Sequence, residues 1–348
     1  MASRRPRKRP PAAAASPHPP LGEFGRIARF FAPLAKGAAG AANLEDDCAV
    51  LKPPPGQLLV LKTDTIVDTI HLVGDEPPDL IARKALRVNL SDLASKGARP
   101  LGYLVALSLT TGTQDHWVEL FAKGLAEDQK EFGVTLLGGD TTHTPGPTTI
   151  SITILGATSA RSIPRRGDAE PGDEIWLTGT IGDGALGLLA ARDGLADLSP
   201  AQRAFLADRY HLPQPRLQAG QALAAVVNAA MDVSDGLVGD LAHIAKHSRL
   251  DAWIDWDELP LSPAGRLALQ AYPGLAGEVL TGGDDYELLV TAPPSAARRI
   301  QKIAHDTDTP ITRIGRMGAR RARAPKVRVV DGEGADRTPR GPGGYRHA

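Results

Sequence analysis

The chain has 348 residues, more than a typical single domain of roughly 100–200 residues, so its length favours two domains. Hydrophobic residues make up 42% and charged residues 23% of the sequence, which is typical of globular α/β proteins and excludes a fibrous or wholly disordered chain. Lys plus Arg and Asp plus Glu both number 40, so the net charge provides no general attraction to nucleic acid or to an anionic membrane.

The first 20 residues are rich in Arg, Pro and Ala. Such a segment cannot bury enough apolar surface to fold, so we expect a disordered basic tail over 1–20. No run of 18 apolar residues occurs, and we expect neither a membrane span nor a secretory signal. The single cysteine, Cys48, excludes an internal disulfide and a multi-thiolate zinc site. This fits a cytoplasmic protein, and we interpret the Cys48 side chain as inert.

The first half of the chain alternates helical and strand-like patterns. Apolar residues at helical spacing predict a helix over 22–34, and an apolar run predicts a strand over 58–63 that ends at Thr63-Asp64-Thr65. Asp79 is the predicted cap of the next helix, which Gly97 closes. The remaining predicted elements of this half are a strand over 101–109, a helix over 115–132, a strand over 134–137 that ends at Gly138-Gly139-Asp140, and a strand over 149–155.

A Pro- and Gly-containing charged stretch over 162–172 has the composition of a connector between domains. We therefore predict an N-terminal domain over 21–160 and a C-terminal domain over 161–348. The second half has its own series of elements: a strand over 174–178, helices over 185–191 and 188–210, a strand over 229–233, a helix over 237–247, a strand over 286–291, a helix over 294–304 and a strand over 311–317. We expect two α/β domains that meet at a cleft.

The most informative feature is a set of carboxylates in Gly, Ser or Thr contexts. An isolated Asp in a turn is usually structural. Several together are what Mg²⁺ requires, because Mg²⁺ takes one or two carboxylates and fills its remaining positions with water and phosphate. On the predicted helix closed by Gly97, Asn89, Asp92 and Lys96 share one face. The five segments are Asp46-Asp47, Thr63-Asp64-Thr65, Asn89-Leu90-Ser91-Asp92, Gly138-Gly139-Asp140 and Asp232-Val233-Ser234-Asp235-Gly236.

Other nucleotide-binding and hydrolase motifs do not account for this pattern. The chain has neither a P-loop motif nor the paired loops of a protein kinase, and it has no zinc-protease or serine-hydrolase motif. A G-x-G-x-x-G pattern at Gly182, Gly184 and Gly187 does follow a predicted strand. A dinucleotide site also needs a second strand ending in an acidic residue, yet 188–210 is predicted helical, so we interpret these glycines as packing residues.

Taken in order, six motifs resemble thiamine-monophosphate kinase over residues 21–317. The resemblance implies the two-domain fold shared with aminoimidazole ribonucleotide synthetase, with an N-terminal mixed sheet plus helices and a C-terminal α/β sandwich. It also implies a homodimer through the N-terminal sheets and ATP-dependent phosphorylation of thiamine monophosphate. The motifs are Gly22-Glu23-Phe24, Asp46-Asp47-Cys48-Ala49, Thr63-Asp64-Thr65, Val88-Asn89-Leu90-Ser91-Asp92, Gly138-Gly139-Asp140-Thr141-Thr142 and Asp232-Val233-Ser234-Asp235-Gly236-Leu237.

The resemblance also implies residue roles. His71 and Asp284 would contact the thiamine phosphate. The residues that would contact ATP are Gly139, Asp140, Arg165 and Ser234. The residues that would hold several Mg²⁺ ions are Asp47, Thr63, Asp64, Asp92, Asp140, Asp232 and Asp235. No general base is needed, because a phosphate acceptor with a second pKa of about 6 is largely ionised at neutral pH.

Three positions depart from the family pattern. Lys62 stands where the family commonly has Ser, Asp284 stands where it has Glu, and Pro342 stands where it has an aromatic residue. The loop arginine that binds ATP is Arg165 by resemblance, although the residues themselves also allow Arg166. Two alternatives stay open, namely another ATP-dependent synthetase of the same superfamily and a nucleotide-binding protein that has lost turnover.

Overall fold

The computed structural model describes residues 21–159, 163–321, 324–339 and 344. The predicted tail over 1–20 and Pro342 lie outside the described residues. The described chain forms two sheets with helices packed on them, as the sequence predicts. Within the described ranges, no helix is long and apolar enough to span a membrane.

The N-terminal half forms a mixed four-stranded sheet. Its order is β1-β4-β2-β3, and only the β2–β3 pair is parallel. Helix α3 packs on this sheet and α4 packs on α3. The segment over 22–34 is helical, as predicted, but irregular. Its first helix, α1, continues into a π-helical turn over Ile27–Phe31. The elements are α1 (Glu23–Arg26), β1 (Leu58–Val67), α2 (Asp68–His71), α3 (Pro78–Ser95), β2 (Arg99–Thr110), α4 (Asp115–Phe132), β3 (Leu136–Thr144) and β4 (Thr149–Thr158).

Local chemistry sets the ends of the two long helices. Pro78 occupies the first position of α3, where its missing N–H has no helical partner to lose. Asp79 lies in the first turn but is not the cap, because Pro77 precedes the helix and no side chain caps it. Gly133 ends α4 in the left-handed region at φ 63°, a conformation that glycine adopts without steric cost.

Two predicted strand ends are wrong. Thr63-Asp64-Thr65 lies inside β1, which runs on to Val67, and Gly138-Gly139-Asp140 lies inside β3, which runs on to Thr144. In β3, a Cβ at Gly139 would lie 2.0 Å from the Val105 carbonyl oxygen of β2. Close approach of two strand backbones therefore accounts for this glycine, and the glycine pair does not form a turn.

The C-terminal half forms a six-stranded sheet in the order β10-β7-β9-β5-β8-β6. The sequence predicts β5, α5, β6, α8 and β9 closely and misses α7, β7, α9, α10 and β10. The predicted strand over 286–291 begins two residues later. The elements are β5 (Glu174–Thr178), α5 (Asp183–Ala191), α6 (Pro200–His211), α7 (Leu217–Leu223), β6 (Ala229–Asp232), α8 (Leu237–Ser248), β7 (Leu250–Asp255), α9 (Pro263–Ala271), α10 (Ala276–Thr281), β8 (Leu288–Ala292), α11 (Ala297–Asp306), β9 (Ile311–Ala319) and β10 (Val327–Val330).

The apolar core crosses from one half of the chain to the other. Strand β8 is buried on both faces, with Leu288 and Val290 in one cluster and Leu289 in the other. The first cluster also contains Leu86 and Leu90 of α3, so α3 lies between the N-terminal sheet and the C-terminal sheet. This packing places the polar residues of α3 at the junction of the two halves.

Candidate active site

An acidic cluster lies where β1 meets α3. Lys62 and Asp64 are two residues apart on β1 and therefore face the same side of the sheet, toward α3. Lys62 Nζ lies 3.1 Å from Asp64 Oδ1 and 2.9 Å from Asp92 Oδ2. The structure thus brings together two predicted metal ligands. Lys62, which differs from the family pattern, lies between them.

The C-terminal half adds a third carboxylate to this cluster. Asp232 ends β6, and its Oδ2 accepts a hydrogen bond from Ser91 Oγ of α3 at 2.7 Å. Lys96, one turn beyond Asp92, donates to the carbonyl oxygens of Ala230 at 2.7 Å and Pro164 at 3.1 Å. Lys96 of the predicted shared face bonds to the C-terminal half, whereas Asp92 pairs with Lys62 of β1. Asn89 is buried and donates to the Ala85 carbonyl oxygen instead.

Electrostatics in this cluster favour a bound cation. Burial raises the pKa of Asp92 well above its usual range, and the Asp232 carboxylate adds to the effect, while Lys62 opposes it. Burial likewise raises the pKa of Asp232. Burial on its own would lower the pKa of Lys62, but the carboxylates of Asp92 and Asp64 outweigh it and raise that pKa. Positive charge brought here would stabilise the ionised carboxylates.

A buried carboxylate positions the loop that carries Ser234 and Asp235. Asp240, in the first turn of α8, accepts hydrogen bonds from the backbone N–H groups of both residues through Oδ2, each at 3.0 Å. Burial, followed by the charges of Asp232 and Asp235, raises the pKa of Asp240 to about 8. The sequence reasoning missed Asp240, although an acidic residue four positions after the loop glycine Gly236 is a recognisable signal.

A second group of predicted residues lies on the opposite, open face of the N-terminal sheet. A cavity of about 630 Å³ there is lined by Asp46, Asp47, Gly139 and Asp140. Thr63 also faces this side, since it neighbours Asp64 on the strand; its hydroxyl donates to the Ile152 carbonyl oxygen at 3.1 Å. Within this chain, Asp47, Thr63 and Asp140 are therefore separated by the sheet from Asp64, Asp92 and Asp232.

The two predicted substrate residues flank a buried lysine. Lys84 Nζ lies 3.4 Å from Asp284 Oδ1 and 3.4 Å from the centre of the Tyr210 ring. Burial lowers the pKa of Lys84. Tyr210 donates from its hydroxyl to the backbone oxygen of His71 at 3.0 Å, and His71 Nδ1 accepts from the Val67 N–H at 3.0 Å. Sequence reasoning missed Lys84, which gave no signal beyond its place on α3.

The G-x-G-x-x-G glycines have internal partners. Asp285 accepts hydrogen bonds from the N–H groups of Gly182 and Gly184, each at 2.9 Å. A Cβ at Gly187 would lie 2.1 Å from the Leu206 carbonyl oxygen. The amides that a dinucleotide would need already bind Asp285, and the interpretation of these glycines as packing residues is confirmed.

Neither connector arginine makes a described side-chain hydrogen bond. Arg165 and Arg166 are both exposed, and the Arg165 N–H donates to Asp168 Oδ2 at 3.2 Å. Burial lowers the pKa of Lys96 to about 8. The charge of Arg166 also lowers this pKa, whereas the carboxylates of Asp232 and Asp92 oppose the change. The connector reaches α3 through the Pro164 carbonyl oxygen, which accepts from Lys96, and the choice between the two arginines as the ATP contact stays a prediction.

The donor atoms suit Mg²⁺, which prefers carboxylate, hydroxyl and phosphate oxygen. Among the residues that the structure describes, no three His, Cys, Asp or Glu side chains form a complete ion site by themselves. This is compatible with Mg²⁺, which is commonly held by one or two carboxylates plus substrate phosphate and water. The Lys62 ammonium occupies the position between Asp64 Oδ1 and Asp92 Oδ2, so an ion would have to use the other oxygen of each carboxylate.

Comparison with known proteins identifies the family of both halves of the chain. Residues 45–158 match the family AIR synthase related protein, N-terminal domain, and residues 170–327 match its C-terminal domain. The chain is 42% identical over 308 residues to thiamine-monophosphate kinase from Caulobacter vibrioides, covering 87% of this chain and 86% of that protein.

Solved structures give the same result. Thiamine-monophosphate kinase from Stenotrophomonas maltophilia K279a matches with a TM-score of 0.74 and 38% identity, covering 82% of this chain and 89% of that one. AaThiL complexed with AMPPCP and TMP matches with a TM-score of 0.70 and 28% identity, covering 91% and 97%. With both domains matched and the sequence motifs present, the chain belongs to the thiamine-monophosphate kinase family of AIR synthase related proteins.

Proposed function

We propose that this chain is a kinase that uses ATP to phosphorylate thiamine monophosphate to thiamine diphosphate. The observation that carries the proposal is the 42% identity to thiamine-monophosphate kinase over 87% of the chain. The likeness to AaThiL, which was solved with AMPPCP and TMP, supports ATP as the donor and thiamine monophosphate as the acceptor.

The reaction is a direct transfer. A phosphate oxygen of thiamine monophosphate forms a bond to the γ-phosphorus of ATP, and the bond from that phosphorus to the β–γ bridging oxygen breaks. The electron pair leaves with ADP. Because the acceptor oxygen is ionised near neutral pH, the chain has to position two anions rather than remove a proton.

Several Mg²⁺ ions on the predicted carboxylates would neutralise phosphate charge and let donor and acceptor approach. The oxygen donors Asp64, Asp92 and Asp232 support one part of this metal set, and Asp47, Thr63 and Asp140 support a second part on the open sheet face. Asp235 and Ser234 lie on the loop that Asp240 orders. We assign the ATP contacts to Gly139, Asp140, Arg165 and Ser234. The seven residues assigned to metal are Asp47, Thr63, Asp64, Asp92, Asp140, Asp232 and Asp235.

The acceptor contacts are assigned to His71 and Asp284. Lys84 lies beside Asp284 and is buried, with no described hydrogen bond from its Nζ. Burying an ammonium is costly unless an opposite charge lies beside it. Lys84 therefore favours a position of the Asp284 carboxylate next to its Nζ. In this arrangement Lys84 positions Asp284, whose backbone is held at φ 63°.

We also propose a homodimer that pairs the open faces of the N-terminal sheets. Large apolar side chains are exposed on this face, with Leu59 42%, Leu61 62% and Leu104 36% exposed. Apolar surface of this kind is stabilised when it is covered. Since the cavity with Asp47 and Asp140 opens on the same face, pairing would enclose it. We further propose a cytoplasmic location, supported by the biosynthetic relatives and by the lone, exposed Cys48.

The proposed function is tested by product analysis. Purified protein, ATP and Mg²⁺ are incubated with thiamine monophosphate or, in parallel, with free thiamine, and the products are separated by chromatography. We expect thiamine diphosphate from the monophosphate and no phosphorylated product from free thiamine. Protein that binds Mg-ATP but forms no product from either acceptor would refute the proposal and favour a binding protein.

A further inference from the structure

Lys62 lies inside the acidic cluster rather than at its edge. Its Nζ is 2.9 Å from Asp92 Oδ2 and 3.1 Å from Asp64 Oδ1, and the three side chains are 34%, 21% and 35% exposed. Strand pairing fixes the Lys62 backbone in β1, opposite Ile154 of β4, and the two ion pairs hold its ammonium between the carboxylates. The ammonium is thus a cation attached to the site.

An ammonium and a divalent ion cannot share this position. Mg²⁺ binds oxygen at about 2.0–2.1 Å, so an ion bridging the two facing oxygens would occupy the space of the ammonium. A protonated lysine also has no lone pair to offer a metal and repels a dication. The other two oxygens, Asp64 Oδ2 and Asp92 Oδ1, take part in no described hydrogen bond, and both side chains are partly exposed to an ion.

We propose that Lys62 replaces one divalent ion of the acidic cluster, acting as a built-in cation that pairs Asp64 with Asp92. This inference rests on the proposed metal-assisted phosphoryl transfer. In the nucleotide-free protein the two carboxylates bind the lysine and share no divalent ion. Ions that arrive with phosphate use the outer carboxylate oxygens. Lys62 is a positioning residue, since it acts through Asp64 and Asp92.

The test counts Mn²⁺ bound to metal-stripped, full-length protein, without nucleotide or thiamine phosphate, by electron paramagnetic resonance of the free ion. Lys62→Met keeps the side-chain length and removes the charge. We expect it to gain one Mn²⁺ site, or to bind its tightest Mn²⁺ at least tenfold more strongly than the unmodified chain. Adding Asp92→Asn to Lys62→Met should remove the gained site. Lys52→Met, at an exposed position of the preceding loop, is the matched control and should bind as the unmodified chain does.

A folded Lys62→Met variant with the same number and affinity of Mn²⁺ sites as the unmodified chain would overturn the inference. If Lys62→Met does not fold, Asp92→Asn in the unmodified chain gives the answer. We expect that variant to keep the nucleotide-free Mn²⁺ count, whereas loss of one tight site would show a shared divalent ion and refute the role of Lys62.

The outcome is separable from the proposed function, because the metal titrations contain no substrate. If the chain forms no thiamine diphosphate but its Mn²⁺ count depends on Lys62, the proposed kinase activity is refuted and the inference about Lys62 stands. An active kinase whose Mn²⁺ count does not depend on Lys62 refutes only the inference.

Discussion

Asp64 is the residue whose removal tests the metal assignment most directly. It contributes one of the two carboxylates that face Lys62, and it is partly exposed on a regular strand, so its side chain contributes little to the core.

We predict that Asp64→Ala lowers kcat at saturating ATP and thiamine monophosphate by at least about 100-fold, because it removes a ligand of the Mg²⁺ that would neutralise phosphate charge, and one such electrostatic contact to the transition state is worth about that much. Circular dichroism should show an unchanged fold. Lys52→Ala, which removes an exposed charge outside the site, is the control and should keep its rate. An Asp64→Ala variant with near-normal turnover would contradict the assignment.

Asp285 shows how burial makes stability depend on pH. Burial raises the pKa of Asp285 to about 8, although the N–H groups of Gly182 and Gly184 partly oppose this. The folded state therefore holds one more proton than the unfolded state between the unfolded pKa, about 4, and the folded pKa. The stabilising contribution is complete below the unfolded pKa and is lost as the pH rises through the folded pKa.

We predict that the free energy of unfolding contains a component from Asp285 that falls by up to about 1.4 kcal/mol per pH unit across this window. Urea unfolding of the metal-free protein from pH 5 to 8 measures it. Asp285→Asn cannot titrate at this position. The free energy of unfolding of the unmodified chain minus that of the variant should therefore fall as the pH rises. Two parallel curves would show that Asp285 has the same pKa in both states.

At the scale of elements, α3 connects the two halves of the molecule. Its apolar residues pack against both sheets, while Ser91, Asp92 and Lys96 reach the acidic cluster and the C-terminal half. Disturbing its apolar side should therefore lower stability and also displace site residues.

Leu90 is fully buried in α3. We predict that Leu90→Ala lowers the free energy of unfolding by about 2–5 kcal/mol, because it removes buried apolar contacts and leaves a cavity. Urea unfolding measures the change. Leu267→Ala on α9, where the side chain is 41% exposed, is the control and should change stability by less than about 0.5 kcal/mol. Equal effects of the two substitutions would contradict the position of α3 in the core.

Substitutions of two adjacent glycines of β3 can distinguish a role in backbone packing from a role in ATP contact. A Cβ at Gly139 would lie 2.0 Å from the Val105 carbonyl oxygen, whereas a Cβ at Gly138 would lie 3.3 Å from the Leu104 side chain, which can move. We predict that Gly139→Ala destabilises the fold by about 1–3 kcal/mol in thermal or urea unfolding. Gly138→Ala is the control, with less than about 1 kcal/mol expected. A stable Gly139→Ala variant with weakened ATP binding would instead assign this glycine to ATP contact alone.

At the scale of the whole molecule, the predicted site residues occupy two sides of one sheet. The open side carries exposed leucines around the cavity with Asp47 and Asp140. Pairing of two chains through this side would cover apolar surface and enclose these carboxylates in the same step.

We predict that light scattering of the unmodified protein gives twice the chain mass of 36.6 kDa. Leu61→Glu, on the open face of β1, should shift the protein to the monomer, because pairing would bury the added charge at high cost. Phe205→Glu on α6, where the side chain is also exposed, is the matched control and should leave the mass unchanged. A monomeric unmodified protein would contradict the dimer.

Local patterns in the sequence were sufficient to predict the alternation of elements and the family. Helix α4 and strand β5 have the predicted bounds, because apolar periodicity and a terminal glycine or turn act within a few residues. The motif order was equally readable, since each motif is a short contiguous segment. Strand β7 and helices α9 and α10 were missed, because their formation depends on neighbours that are distant in the sequence.

The grouping of the carboxylates, by contrast, depends on contacts between segments that are distant in the sequence. Side chains alternate along a strand, so Thr63 and Asp64 belong to one motif yet face opposite sides of the sheet. From the sequence alone, Gly138 and Gly139 predict a turn. In the structure, the Val105 carbonyl oxygen leaves no room for a side chain at Gly139. Lys62 reads as a substitution that removes a metal ligand. Packing of α3 on β1 brings Asp92 to the Lys62 ammonium and gives that charge a place in the site, a contact between residues 30 positions apart that no local pattern encodes.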